Sequence, residues 1–338
     1  MKKIRQTWLI IMTSIVLLLG FSFPIETQAI ETGETAFVDV SVATLWSEPD
    51  GTRPIDSPSI ENPVDMWEWT RGMSYEQKLW LVGNLQTQAL YGQEVTILEE
   101  EGDWVKVAVH GQPTPKNDLG YPAWMPKVQL ENGKSFASLR ENKNFAMVTS
   151  PTTWLYDDKH QVNKFKEISF NTRLPVVTEK KDTVLVATPS DGKKWISTDA
   201  ISIYSSEEDI PEPDGDDLVD TGAKFLGLPY LWAGTSGFGF DCSGFTHTIF
   251  KAHGITIPRD SSVQATHGTP VARDELQKGD LLFFAYNEGE GSVHHVGMYI
   301  GDGKMMHSPN TASTVEIIDV FESDYYSSEY AGARRYLD

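Results

Sequence analysis

Between residues 205 and 217 the chain reads Ser-Ser-Glu-Glu-Asp-Ile-Pro-Glu-Pro-Asp-Gly-Asp-Asp. Two prolines break any regular element, and clustered carboxylates repel one another and stay in water, so the run reads as a solvated acidic linker over 205–217. The residue pattern differs on its two sides, so the run marks a domain boundary, and a length of 338 residues favours two or three domains over one.

Upstream, short β-rich runs alternate apolar and polar residues between turn signals, as half-buried strands do. Over 35–133 these are Phe37-Val38-Asp39-Val40, Glu94-Val95-Thr96-Ile97-Leu98 and Trp104-Val105-Lys106-Val107-Ala108-Val109. A small β-barrel is expected, with a helical insertion over Met66–Tyr91. There Tyr75, Leu79, Val82 and Leu85–Gln86 recur at helical spacing and Ser74 is placed to cap. Residues 144–204 repeat the grammar in Leu174–Val177, Thr183–Ala187 and Lys194–Ser197, which suggests a second, duplicated barrel. Trp104-Val105-Lys106-Val107 after an acidic turn, and Trp124 or Trp195 opening a last strand, resemble bacterial SH3 domains.

Downstream, over 218–338, the pattern turns to α+β. A helix is expected at Leu218–Leu226 and another from about Cys242 to His253, followed by strands near Leu281–Phe284, Val293–Ile300 and Lys304–His307.

The N-terminus reads as an export signal over 1–29: Lys2, Lys3 and Arg5, an apolar run from Trp8 to Phe23, then Thr27-Gln28-Ala29. Retention as an anchor is the alternative. Either way the body is expected outside the cell, secreted or wall-associated. The net charge of −20 becomes −22 once Lys2, Lys3, Arg5 and Glu26 are removed, which disfavours nucleic-acid partners. With one cysteine, an exported chain has no internal disulfide and its free thiol is conspicuous.

That thiol, Cys242, sits in Gly239-Phe240-Asp241-Cys242-Ser243-Gly244-Phe245, where a glycine-rich loop becomes a helix whose dipole favours a thiolate. Nucleophilic catalysis needs an imidazole base oriented by a third polar group. In Val293-His294-His295-Val296-Gly297-Met298-Tyr299-Ile300 the strand period puts His294 and His295 on opposite faces. The turn Gly301-Asp302-Gly303 then returns the chain so that His307 can lie beside His295. Because the two adjacent histidines diverge, a metal site is not expected, and Asp241 is read as a loop-fixing group.

Five short blocks now stand in order: Pro229-Tyr230-Leu231-Trp232, Asp241-Cys242-Ser243-Gly244, Pro258-Arg259-Asp260, Lys278-Gly279-Asp280 and His295-Val296-Gly297-Met298-Tyr299. Together they resemble the NlpC-type cell-wall cysteine peptidases from about Asp217 to the C-terminus. Ala233, where that family often has glycine, is a departure, as is His307 followed by Ser308 and Pro309.

The resemblance implies a papain-like core in which Cys242 attacks an amide carbonyl, His295 shuttles the proton and His307 orients it. It also favours Ser243 and Asp260 as grips for a charged substrate end. Two SH3-like domains before such a core resemble γ-D-glutamyl-L-diamino acid endopeptidases, which act on small murein peptides with a free N-terminal L-alanine. The first barrel could then close the cleft through the loop Asp118–Trp124, with Tyr121 reaching in. No cofactor, no obligate protein partner and, after signal removal, no membrane contact are implied. The alternatives are an N-acetylmuramoyl-L-alanine amidase and a non-catalytic wall-binding protein.

Overall fold

The computed structural model describes residues 32–337. The expected signal segment, residues 1–29, lies outside the described residues.

The first seven-stranded antiparallel sheet uses Thr35–Val38, Val42–Trp46, Leu85–Leu90, Glu94–Glu101, Trp104–Val109, Tyr121–Pro126 and Leu130–Glu131. The second uses Phe145–Val148, Thr152–Tyr156, Lys164–Ser169, Arg173–Glu179, Thr183–Ala187, Lys193–Ser197 and Ile201–Tyr204. With the strands of each sheet counted from its own start, both run in the spatial order 3-2-6-5-4-1-7. Each also places a single 3₁₀ turn, Lys127–Gln129 or Thr198–Ala200, directly before its last strand. All seven strands of the first sheet feed one core, from Ala36, Val38 and Leu45 to Val107, Ala123 and Leu130, so the sheet curls onto itself as an SH3-like barrel.

Two sequence expectations need correction. The insertion into the first barrel is helical at Ser57–Ile60, Met66–Gly72 and Tyr75–Leu79, and Ser74 does cap, in a reciprocal arrangement with Gln77. Leu85–Gln86, however, belong to a strand paired with Val42–Trp46. The helical spacing misled because Tyr75, Leu79 and Val82 are 50, 48 and 43% exposed, so no core selected that face. The acidic run is also more ordered than its composition suggests. Ile210 is buried, Glu207 pairs with Arg173, and Asp214 accepts the N–H groups of Asp216 (2.9 Å) and Asp217 (3.0 Å), capping a helix that starts at Gly215.

The C-terminal domain is a six-stranded sheet in the order Thr269–Val271, Tyr330–Arg335, Leu281–Ala285, Val293–Gly301, Lys304–His307, Glu316–Asp319. The helix Cys242–Ala252 lies across its middle. Phe245 and Ile249 of that helix pack on Val296, Met298 and Met306. Gly244 makes this approach possible: a Cβ there would stand 1.9 Å from the Gly234 carbonyl oxygen.

The three domains interlock. Gln88 of the first barrel is fully buried and its side-chain oxygen accepts from the Thr235 N–H (3.0 Å) and the Ser236 hydroxyl (2.9 Å). From the second barrel, Ser169 accepts the Gly237 N–H at 2.9 Å. Phe170 inserts into the C-terminal core against Phe225, ring centroids 5.1 Å apart.

Phe170→Ala is therefore expected to destabilise the C-terminal domain, although it lies outside it, by about 3–5 kcal/mol. Urea unfolding followed by tryptophan fluorescence and by Cys242 accessibility should show both signals shifted together. A shift in the barrel signal alone would contradict the shared core.

Candidate active site

The helix Cys242–Ala252 begins at the thiol because Asp241 ends the preceding loop in an extended conformation and caps it, accepting the Gly244 N–H at 2.6 Å. Asp241 is itself held by Arg259, whose guanidinium reaches its two oxygens at 2.7 and 3.1 Å. Arg259 is 1% exposed and uses its remaining donors on the Ser243 hydroxyl (2.9 Å) and, across the domain boundary, on the Thr87 hydroxyl (3.2 Å). Sequence reasoning placed Arg259 in a motif but gave it no task. Only the fold shows that Arg259 is buried and so requires a carboxylate, which Asp241, read as the group that fixes this loop, supplies.

His295 and His307 come from the hairpin Val293–Gly301 and Lys304–His307, with His295 Nε2 and His307 Nδ1 2.8 Å apart. The pairing depends on Gly297, which shares their face: a Cβ there would lie 2.3 Å from the Met305 sulfur and 3.0 Å from His307 Cβ. His294 points away from this pair. It binds Glu329 at 2.8 Å and stacks on Tyr286.

Cys242 and His295 open onto one cleft of about 690 Å³, also lined by Ser243, Arg259, Asp260, Tyr230 and Trp232. The opposite wall is built by the first barrel through Leu79, Val82, Gln86, Lys116 and Tyr121. Tyr121 opens a strand, and its hydroxyl lies 3.1 Å from both oxygens of Asp260. Lys116 was not foreseen. Its ammonium touches the Tyr121 hydroxyl and lies 3.5 Å from Asp260. The Ser243 hydroxyl, expected to face substrate, is turned inward to Arg259 and Asp241. Ala233 lines the same cleft at φ +63°, in the left-handed region that glycine adopts without steric cost.

The electrostatics differ from a simple helix-dipole picture. Burial, and then the Asp241 carboxylate, push the Cys242 thiol up to about 12, while the Val296 and Ser243 N–H groups and Arg259 oppose this. Burial first, and then the charges of His307 and His294, hold His295 well below an ordinary imidazole. Burial thus works against the charged form of both groups, the thiolate of Cys242 and the imidazolium of His295.

Comparison with known proteins bears directly on this arrangement. Residues 227–335 match the NlpC/P60 family model, and residues 148–204 match that of the YKFC SH3b2 domain. A γ-D-glutamyl-L-lysine dipeptidyl-peptidase of Bacillus cereus is 57% identical over 304 residues, covering 89% of this chain and 91% of the relative. The chain belongs to the NlpC/P60 family. A second relative with the same name, from Bacillus subtilis, is 42% identical over 297 residues, 87% of this chain and 96% of its own length. The crystal structure of an NlpC/P60 family protein from Bacillus cereus superposes with a TM-score of 0.87 at 55% identity, over 90% of this chain and all of that one. The C-terminal domain is thus the papain-like NlpC/P60 core, preceded by SH3-like barrels.

Buried histidines set the acid stability of this NlpC/P60 protein. Burial lowers His247 and His307 to about 3 each. Unfolded histidines take up protons near 6.5, so between these values the unfolded chain binds more protons and stability falls as pH falls. The expected loss is about 2 kcal/mol per buried histidine between pH 6.5 and 5. Urea midpoints at the two pH values read it directly, and equal midpoints would mean the histidines are not buried neutral.

Proposed function

We propose that this NlpC/P60 protein is a cysteine endopeptidase that hydrolyses the γ-D-glutamyl–L-diamino acid bond of murein peptides, with L-lysine or meso-diaminopimelate on the leaving side. The observation that carries the proposal is the shared cleft of Cys242 and His295, the latter bonded to His307 at 2.8 Å. The names of the two relatives at 57 and 42% identity support the substrate class.

His307 occupies Nε2 of His295, so Nδ1 is the nitrogen left for the thiol. In the proposed reaction Cys242 Sγ bonds to the γ-carbonyl carbon of D-glutamate as its proton passes to His295 Nδ1. The oxyanion that forms is held by the Cys242 and Ser243 N–H groups at the helix start, since the Gly244 N–H is already used by Asp241. Collapse breaks the C–N bond, and His295 returns the proton to the departing amine. Water, deprotonated by the same imidazole, then hydrolyses the thioester and restores the thiol.

The first-barrel wall favours small peptides with a free N-terminal L-alanine. Asp260 and Tyr121 offer a carboxylate and a phenol to an α-ammonium, in a place where the Lys116 ammonium already rests. A glycan strand or acyl cap on that amine would meet the barrel. Work outside the cytoplasm, after removal of residues 1–29, belongs to the same proposal and rests on the basic and apolar sequence of that segment.

Mass spectrometry of L-Ala-γ-D-Glu-L-Lys and its diaminopimelate analogue tests this. Wild type should release L-Ala-D-Glu, Cys242→Ala should not, and N-acetylated peptides should resist cleavage. No cleavage of any peptide, or release of alanine alone, would overturn the assignment.

A further inference from the structure

In both states of the proposed base, the proton positions on the histidine pair are constrained. Neutral His295 must leave Nδ1 bare to accept the thiol proton, so its hydrogen is on Nε2. Protonated His295 carries hydrogens on both nitrogens. Either way Nε2–H donates to His307 Nδ1, 2.8 Å away, and His307 must keep its own hydrogen on Nε2.

That second N–H is in an unusual position. His307 is fully buried, and its Nε2 has no hydrogen-bond partner. A buried donor left unmet costs about 1–3 kcal/mol, so the useful tautomer is disfavoured unless something answers it. The acceptor at hand is Glu316 Oε1, 3.6 Å away. Glu316 sits directly opposite His307 in the pairing of Lys304–His307 with Glu316–Asp319, and its side chain is 44% exposed. The charged or titratable groups facing His307 are His295 from the preceding strand, Glu316 from the following strand and Tyr326, whose ring centroid is 5.2 Å away on the helix Asp324–Ser328. Among these, Glu316 alone brings a carboxylate.

We infer that Glu316 is a positioning residue: by accepting the His307 Nε2–H it selects the tautomer that turns His295 Nδ1 toward Cys242. This rests on the proposed roles of Cys242 and His295. A small closing rotamer change of a half-exposed side chain turns the 3.6 Å approach into a hydrogen bond. Charge follows the same line. When the thiol proton reaches His295, the positive charge is shared along the histidine pair, and the Glu316 carboxylate stands at its far end.

The test uses the full-length protein with Glu316→Ala and Glu316→Gln, and Cys242→Ala as control. Glu316→Ala is expected to lower kcat about tenfold with KM within about twofold, as loss of an outer orienting group does. Glu316→Gln keeps an acceptor without charge and should recover to about a third of wild type. In both variants the acid limb of kcat/KM should move to lower pH, because the carboxylate that favours imidazolium is gone. The rate of Cys242 alkylation by iodoacetamide at pH 7 reads the same effect without substrate and should fall in parallel. Wild-type kcat, acid limb and alkylation rate in both variants would overturn the inference, as would a change confined to KM. Cleavage by Cys242→Ala would instead overturn the underlying functional reading.

Discussion

The buried ion pair between Asp241 and Arg259 is the interaction on which the rest of the arrangement depends. One carboxylate of Asp241 starts the helix that carries Cys242 and neutralises a guanidinium that is 1% exposed. That guanidinium then reaches Thr87 of the first barrel, 172 residues away in sequence, and the Arg259 N–H donates to the Pro113 carbonyl of the same barrel at 3.0 Å. Removing either partner leaves a buried charge unmet, which is why such pairs hold geometry even when they add little net stability. The docking of the first barrel and the start of the helix that carries Cys242 are therefore one structural problem with one solution.

Docking in turn shapes the cleft. The strands of the SH3-like barrel spend most of their apolar side chains on its own core, while Gln86 and Tyr121 from them reach the cleft. The insertion adds Leu79 and Val82, which are exposed over the cleft, and Lys116 joins Tyr121 at Asp260. The cleft beside Cys242 is thus walled jointly by the papain-like core and by first-barrel residues, some of which, Tyr121 and Lys116, also meet Asp260 across the domain boundary.

Much of this was legible in the sequence. Strand period and a two-glycine turn permit His295 and His307 to meet, as they do, while the roles given to them and to Cys242 came from the family resemblance; the repeated β-rich grammar suggested the duplicated barrels. Less legible features depended on long-range contacts. Leu85–Gln86 carried helical spacing, but pairing with Val42–Trp46 decided their state. Ile210 sits in a run of carboxylates, yet it is buried and borders Gly254 of the last domain. The Cys242 thiol was expected to be acidified by its helix; its burial, which only the fold reveals, and the adjacent Asp241, read there only as a loop-fixing group, act the other way. Lys116 had no motif at all, because only folding brings it to Asp260.

A double-mutant cycle on the central ion pair is the most direct measure of this dependence. Asp241→Asn and Arg259→Met should each lower the urea-derived stability by about 3–5 kcal/mol, and the double variant by clearly less than their sum, because the second change removes the charge that the first left unpaired. Additive losses would show that the two residues act independently, and that the Cys242 helix and the first barrel are held by separate contacts.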